Sequence, residues 1–521
     1  MRAISSVIRP AAAALGSAAL IVLAAPGVLP WPNASLLAWL SFVPILLALE
    51  RLGWRGAMLL GWATGALVQA GVSTWMPGVL ARYSGIPAWA AVAVSAGIWM
   101  WGGLAWALWA AGTRAVRVLP WGPVASASLF VSIEYGMPLV FPYSIGLTQY
   151  RNTTIAQAAE WGGPSLLAFL MVLGGAAVAG LIRYRARRWK LAAATVAAAL
   201  LLLAGGRIRL ASIRTARQAA PVLRVGVVQA GHAQTGWKAR PEDSDLLERY
   251  QALSASLEAQ LPPPELLVWP EKAYPLLLRR DADHDYPEGH GRRIRRGFRR
   301  PLVFGANAVD ANTRELTNAA LLLRENGRFG GIYDKVRLIP YSEWLPSWLE
   351  GRIPGGRRYR AGARLAPLIL HAGTNHAVRL GTFICFESAF SSHVGALMAQ
   401  GPELLLNLSD DTWFGASTEP EQHLSQVVFR AIESRRDVVR SAGAGISALV
   451  AATGEIEQRL PVQSDPGGRG MGLILEARLL RTRTFVSMSA MFPWLCALTA
   501  AAALADAWRR SRRSTASRQD C

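Results

Sequence analysis

The sequence predicts a polytopic α-helical membrane bundle of about eight spans that carries a layered α/β domain on one side of the bilayer. Three observations predict it. Eight apolar stretches are each near the roughly 20 residues that a span requires. Arginines gather in alternate connections between those stretches. From about residue 221 the texture changes to short apolar runs separated by helical patterns. Composition agrees: of 521 residues 52% are hydrophobic, only 17% are charged, and 20 are Trp. A disordered chain excludes that composition, and a soluble globular one could not hide so much apolar surface.

The expected spans run at 11–30, 34–50, 56–76, 86–112, 121–140, 163–182, 190–206 and 485–505. The first is not a cleaved signal, because six more spans follow at once. Pro44 lies in the short second one. Arg2 and Arg9 precede span one, Arg51 and Arg55 follow span two, and Arg114 and Arg117 follow span four. Arg183, Arg185, Arg187, Arg188 and Lys190 follow span six, and five arginines between Arg509 and Arg518 follow span eight. The intervening loops hold only Arg82 or Arg151. Both termini are therefore expected in the cytoplasm, with the long segment after span seven on the opposite side. The formal charge of +21 is then largely topogenic, and a nucleic-acid partner is not needed to explain it. The implied divisions are 1–210 (membrane domain), 221–476 (exported domain), 484–506 (last span) and 507–521 (basic tail). Glu134 falls inside span five, where a carboxylate is either functional or a helix–helix hydrogen bond.

In the exported half, strands are expected at 222–230, 265–271, 301–309, 319–325, 379–388, 403–409 and 447–455. Helices are expected at 241–260, 388–400 and 419–437, and irregular loops at 280–300 and 343–364. Alternating strands and helices argue for a mostly buried sheet. Of the three cysteines, Cys496 falls in the last span and Cys521 ends the tail, so Cys385 stands alone in this domain. It is either a small buried hydrophobe or a used thiol. It closes an apolar strand in "FICFES", the strand end at which α/β sites form. Among the 55 Lys and Arg only Lys190, Lys238, Lys272 and Lys335 are lysines. Lys335, in "GIYDKVRLIPYSEW", therefore suggests a need for a compact ammonium. Glu271 closes the run "VWPE". A carboxylate base, a thiol nucleophile and an ammonium for the oxyanion have complementary roles. Surface salt bridges are the alternative for Glu271 and Lys335. The seven histidines are scattered, with His371 and His376 five apart, so no metal site is expected. No G-x-S-x-G elbow is present.

The order of Glu in "WPE", Lys in "YDKVRLIPYSE" and Cys in "CFES" resembles the triad of the nitrilase (carbon–nitrogen hydrolase) superfamily. The "FPY" and "AQAAEWGG" stretches and "NLSDDTWFG…EQHLSQVVFRAIESRRDVVRSAGAGIS" extend the likeness. Joined to the membrane half, the chain is similar to the apolipoprotein N-acyltransferase family. The resemblance implies an α-β-β-α nitrilase-like sandwich in the periplasm, on an eight-helix base in the bacterial inner membrane. It implies Glu271 as general base, Lys335 as oxyanion stabiliser and Cys385 as nucleophile. Glu343, Glu387 and Trp237 match supporting positions. The implied reaction passes an acyl chain from a phospholipid, phosphatidylethanolamine above all, through a Cys385 thioester. The acceptor is the α-amine of an apolipoprotein's diacylglyceryl-cysteine, and no cofactor is implied. A membrane-anchored amidase of the same superfamily is the alternative. Phe386, Asp410 and 441–445 depart from the family's usual Tyr, Asn and Asn-rich turn. Finally, 343–360 is expected to be a bilayer-touching arm. Trp344, Leu345, Trp348 and Leu349 cluster there, and Arg352, Arg357, Arg358 and Arg360 suit anionic headgroups. The alternative is that both Trp pack onto the core.

Overall fold

The computed structural model describes residues 2–184, 189–231, 242–346, 359–371, 377–463 and 470–519. The chain divides into two compact units. One comprises Met1–Pro77, Pro87–Leu210 and Ser487–Cys521, and the other Gly78–Ile86 and Ala211–Val486.

The first unit is helical. Its chain order is α1 (Arg2–Ala24), a 3-10 turn (Pro32–Leu40) leading into α2 (Phe42–Leu49), α3 (Trp54–Val72), then, past α4 (Met76–Ser84), most of which falls in the second unit, α5 (Ala88–Val116) and α6 (Gly122–Gly136). There follow α7 (Thr153–Ala156), α8 (Ala159–Tyr184), α9 (Trp189–Gln218) and, at the far end of the chain, α13 (Val486–Gln519). Helix thus covers part of each expected span. Among the described residues four segments are long and apolar enough to cross a membrane: Ala88–Val116, Ala159–Arg183, Ala193–Gln218 and Met488–Arg513. The expected span at 34–50 is a 3-10 turn joined to a short helix, and that at 121–140 ends at Gly136. Small residues let α3 and α5 approach closely. A Cβ on Gly61 would lie 2.4 Å from the Trp106 carbonyl, and one on Gly103 would lie 2.7 Å from that of Trp62. Phe42, Trp106, Trp109 and Phe130 stack edge-to-face and in parallel beside that contact. Glu134 accepts hydrogen bonds from the Ser144 hydroxyl (2.8 Å) and the Ile145 N–H (2.9 Å). It ties the end of α6 to the turn that follows.

In the second unit two sheets pack face to face. Its strands are β1 (Val222–Gln229), β2 (Leu266–Val268), β3 (Tyr274–Arg279), β4 (Leu302–Val309), β5 (Leu316–Leu323), β6 (Phe329–Asp334), β7 (Leu368–His371), β8 (Ala377–Ile384), β9 (Leu404–Ser409), β10 (Val438–Ala442), β11 (Ala448–Val450), β12 (Ile456–Arg459) and β13 (Met471–Arg478). One sheet runs β13-β1-β2-β4-β5-β6, with β3 also on β4, and the other runs β12-β11-β10-β9-β8-β7. Val225, Val227, Val268, Val303 and Leu322 of the first meet Leu380, Ile384, Leu406 and Val439 of the second in one core. On the first sheet's other face, α10 (Glu242–Glu258) lays Leu246, Leu247, Tyr250 and Leu257 against Trp269 and Phe304. Helices α11 (Ser391–Met398) and α12 (Glu419–Ser434) pack against the second sheet. The layers therefore read α-β-β-α. Strands buried on both faces explain the near-continuous apolar runs in the sequence. Three differences concern positions near the site. β2 stops at Val268, so Glu271 lies in the loop beyond the strand. Cys385 opens a 3-10 turn, Cys385–Ala389, after β8 rather than ending the strand. Strands β3, β6, β7, β10, β12 and β13 lie where none was expected.

Candidate active site

β2 runs parallel with β1, and β8, β9 and β10 run parallel in turn; the loops after the C-terminal ends of β2, β8 and β9 meet. Glu271 follows β2. Gly305 on β4 makes room for it, since a Cβ there would lie 2.5 Å from the Glu271 Cα. Lys335 directly follows β6 and is fully buried. Its Nζ lies 3.1 Å from Glu271 Oε1 and 2.9 Å from Glu343 Oε2. Asn318 of β5 donates to both carboxylates, at 2.6 Å to Glu271 and 2.9 Å to Glu343. Lys272 Nζ stands 3.5 Å from Glu343 and 5.3 Å from the centre of the Tyr359 ring. Glu271 and Glu343 thus pair with Lys335 and Lys272 in one buried cluster.

Burial alone would lower the Lys335 pKa, but Glu271 and Glu343 hold the ammonium and raise it well above the ordinary lysine value. Burial would raise the Glu343 carboxyl, yet Lys335 and Lys272 overcome that and bring it down to about 2. The Cys385 thiol is pushed up, first by burial and then by the Glu271 charge, with Lys335 pulling the other way. Thiol, carboxylate and ammonium therefore share one electrostatic cluster. Cys385 itself takes a left-handed backbone, φ 49°. That conformation is uncommon outside glycine and strained at functional turns.

Two networks hold that turn. Glu387 accepts from the Ile384 N–H (2.7 Å), the Tyr333 hydroxyl (2.7 Å) and the N–H groups of Val336 (2.7 Å) and Arg337 (3.1 Å). It joins the strand leading to Cys385 to the loop leaving Lys335. On the other side His423 Nε2 lies 3.1 Å from the Cys385 carbonyl, and its Nδ1 lies 2.9 Å from Asp411. Arg440 donates to Asp411 at 2.6 Å. Burial would raise the Asp411 carboxyl, but Arg440 and His423 hold it well below the usual range.

Asp411, Glu419 and His423 form a group that could hold a metal ion, with one ligand atom from each within 4.8 Å of the others. No such site was expected. Arg440 already neutralises Asp411, and burial beside Asp411 pushes the Glu419 carboxyl well above its ordinary value, toward the neutral acid. Glu419 Oε2 is buried with no hydrogen-bond partner among the described residues.

The structure brings Glu271, Lys335, Glu343, Cys385 and Glu387 together. Phe386 is half-buried and packs edge-on against Phe390, 5.1 Å between centroids. Trp344 is exposed, whereas Leu345, expected beside it on an exposed arm, is buried. Trp237, Trp348, Leu349, Arg352, Arg357 and Arg358 lie outside the described residues. Asn318, Lys272, Asp411, His423 and Arg440 were not singled out from the sequence. Two of them carried a signal there: Asn318 interrupts an apolar strand and must find partners when buried, and Lys272 shares the scarcity that marks Lys335.

Residues 17–177 match the Apolipoprotein N-acyltransferase N-terminal domain, and residues 224–465 match Carbon-nitrogen hydrolase. An apolipoprotein N-acyltransferase of Geobacter metallireducens is 31% identical, over 92% of this chain and 92% of its own. That of Pseudomonas putida is 29% identical over 86% of this chain and 88% of its own. Among solved structures, Saccharomyces cerevisiae Nit3, of the nitrilase superfamily, aligns over 49% of this chain and 90% of its own. Its identity is 16% and its TM-score 0.36.

Proposed function

The chain belongs to the apolipoprotein N-acyltransferase family, and on that premise we propose that it transfers an acyl chain from a phospholipid, through a Cys385 thioester, to a lipoprotein's N-terminal amine. The observation that carries this reading is the buried ammonium of Lys335 held 3.1 Å from Glu271 beside a buried thiol. In the first half-reaction Glu271 takes the thiol proton. The thiolate attacks the phospholipid ester carbonyl, and Lys335 stabilises the oxyanion. The lysophospholipid oxygen leaves with the proton from Glu271. In the second, the α-amine of a diacylglyceryl-cysteine attacks the thioester, Glu271 takes its proton and returns it to the departing Cys385 sulfur, so the C–N bond forms as the C–S bond breaks and the thiol reforms. Asn318 and Glu343 orient the pair, and Glu387 and His423 brace the Cys385 turn.

Phosphatidylethanolamine is the proposed donor. Both substrates are then membrane-anchored, which suits an active site carried on apolar helices. In this reading residues 1–210 and 484–506 supply eight spans of the bacterial inner membrane, 221–476 is the periplasmic catalytic domain, and both termini and the 507–521 tail are cytoplasmic. The alternating arginines support that orientation. Exposed Trp344 supports contact of the 343–360 segment, including Trp348, with lipid, and Trp237 and Phe386 are assigned to the substrate side. Intact-mass measurement after incubation with phosphatidylethanolamine vesicles tests the reading. One added acyl chain on the wild type, absent from Cys385→Ser, is expected. An unmodified wild type, or an adduct that persists in Cys385→Ser, contradicts it.

A further inference from the structure

Asp410 is the residue immediately after β9, and it is buried against the base. Its backbone N–H donates to Glu271 Oε2 at 3.0 Å. Its Oδ1 accepts from the Thr412 N–H (3.1 Å) and the Thr412 hydroxyl (2.6 Å). Its Oδ2 is buried with no hydrogen-bond partner. Gly443 closes over it, where a Cβ would lie 3.2 Å from Oδ1. The ionisable groups facing it are Glu271 and Lys272, from the loop after β2, and Tyr250 from α10. Asp411, next in the chain, is paired with Arg440 and His423.

A neutral amide could accept the same two Thr412 bonds. What the carboxylate adds is charge, half satisfied and set beside a second carboxylate. Such an arrangement is costly unless the charge is used. We propose that Asp410 is a positioning residue for Glu271, whose ionised carboxylate drives the Cys385 proton onto that base and whose protonation releases the drive. The inference rests on Glu271 being the base, as read above. When the S–H bond breaks, the proton joins Glu271 and the negative charge passes to Sγ. That move takes charge off the carboxylate hydrogen-bonded to the Asp410 N–H. The leading charges on the thiol are Glu271, Lys335, Asp411 and Glu343. Burial, and after it the Glu271 charge, raises the Asp410 carboxyl to about 6, against the pull of Thr412. Its charge therefore switches within the working range.

Iodoacetamide alkylation of Cys385 in the full chain, in detergent, reads the thiolate directly. Peptide mass separates this residue from Cys496 and Cys521. The wild-type rate should rise through an inflection near pH 6. Asp410→Asn should lack that inflection and react several-fold more slowly at neutral pH. Thr412→Val, which removes a donor to the charged form, should move the inflection to higher pH. It serves equally well should Asp410→Asn fold poorly. Thermal melts give an independent readout. A folded-state carboxyl raised above its unfolded value weakens the fold as pH climbs through 6. The melting temperature of Asp410→Asn should therefore gain on that of the wild type across the same interval, whereas a merely structural loss would be independent of pH. An inflection unchanged in either variant, with Cys385 still reactive, overturns this inference alone. A Cys385 that does not alkylate at any pH overturns the nucleophile reading and this inference with it.

Discussion

Replacing Glu343 with Gln removes one of the two carboxylates that balance Lys335 and Lys272. The Glu343 carboxyl lies at about 2 rather than its ordinary 4.5, and each pKa unit corresponds to about 1.4 kcal/mol. The charge should therefore contribute about 3 kcal/mol at neutral pH, within the range measured when one partner of a buried pair is removed. For a domain of this size each kcal/mol shifts the melting temperature by about 2–4 °C, so Glu343→Gln should melt about 6–12 °C below the wild type. The folded pKa is depressed, so the contribution is fully present above the unfolded value of 4.5. It fades as pH falls toward about 2, and the gap between the two proteins should narrow in that window. Differential scanning fluorimetry in one detergent, at one scan rate, measures it. A gap under 2 °C at neutral pH, or one that does not narrow in acid, would refute the balanced-cluster account.

Lys335→Arg keeps the charge, but a planar guanidinium is wider than the fully buried ammonium it replaces. Thioester formation should fall by about 10²–10³, as for the loss of an oxyanion donor, and a normal rate in stopped-time mass measurements would remove Lys335 from the mechanism. Phe386→Tyr should leave acyl transfer unchanged or slightly slower, because the ring packs edge-on against Phe390 and an added hydroxyl needs a partner. A several-fold gain in rate would show that a phenol serves the chemistry.

Much of the sheet core was legible because double-sided burial writes long apolar runs, and Cys385 and Lys335 stood out as candidates by scarcity. Other parts were hidden for physical reasons. β10 carries the buried Arg440, whose charge breaks the apolar pattern, yet Arg440 is satisfied only because β9 and β10 lie side by side and bring Asp411 and Asn407 to it. β13 pairs antiparallel with β1, from the opposite end of the unit, and nothing local announces so distant a partner. β12 is an exposed edge strand with little apolar signal. Glu387 reads as a lone acid beside the cysteine, and only the fold reveals four donors converging on it. Leu345 looked exposed among tryptophans because its neighbours in sequence are not its neighbours in space.

The proposed reaction turns on Cys385 carrying an acyl group and yielding it to an amine. A single-turnover chase measures this most directly. Wild-type protein bearing the acyl adduct, freed of phospholipid, is mixed with a peptide whose N-terminal cysteine is diacylglyceryl-modified, and all products are weighed. The adduct should disappear as the N-acylated peptide appears in equal amount, while an N-terminally blocked peptide should leave the adduct in place. Release of free fatty acid at the same rate with either peptide would contradict it and mark the chain as a hydrolase.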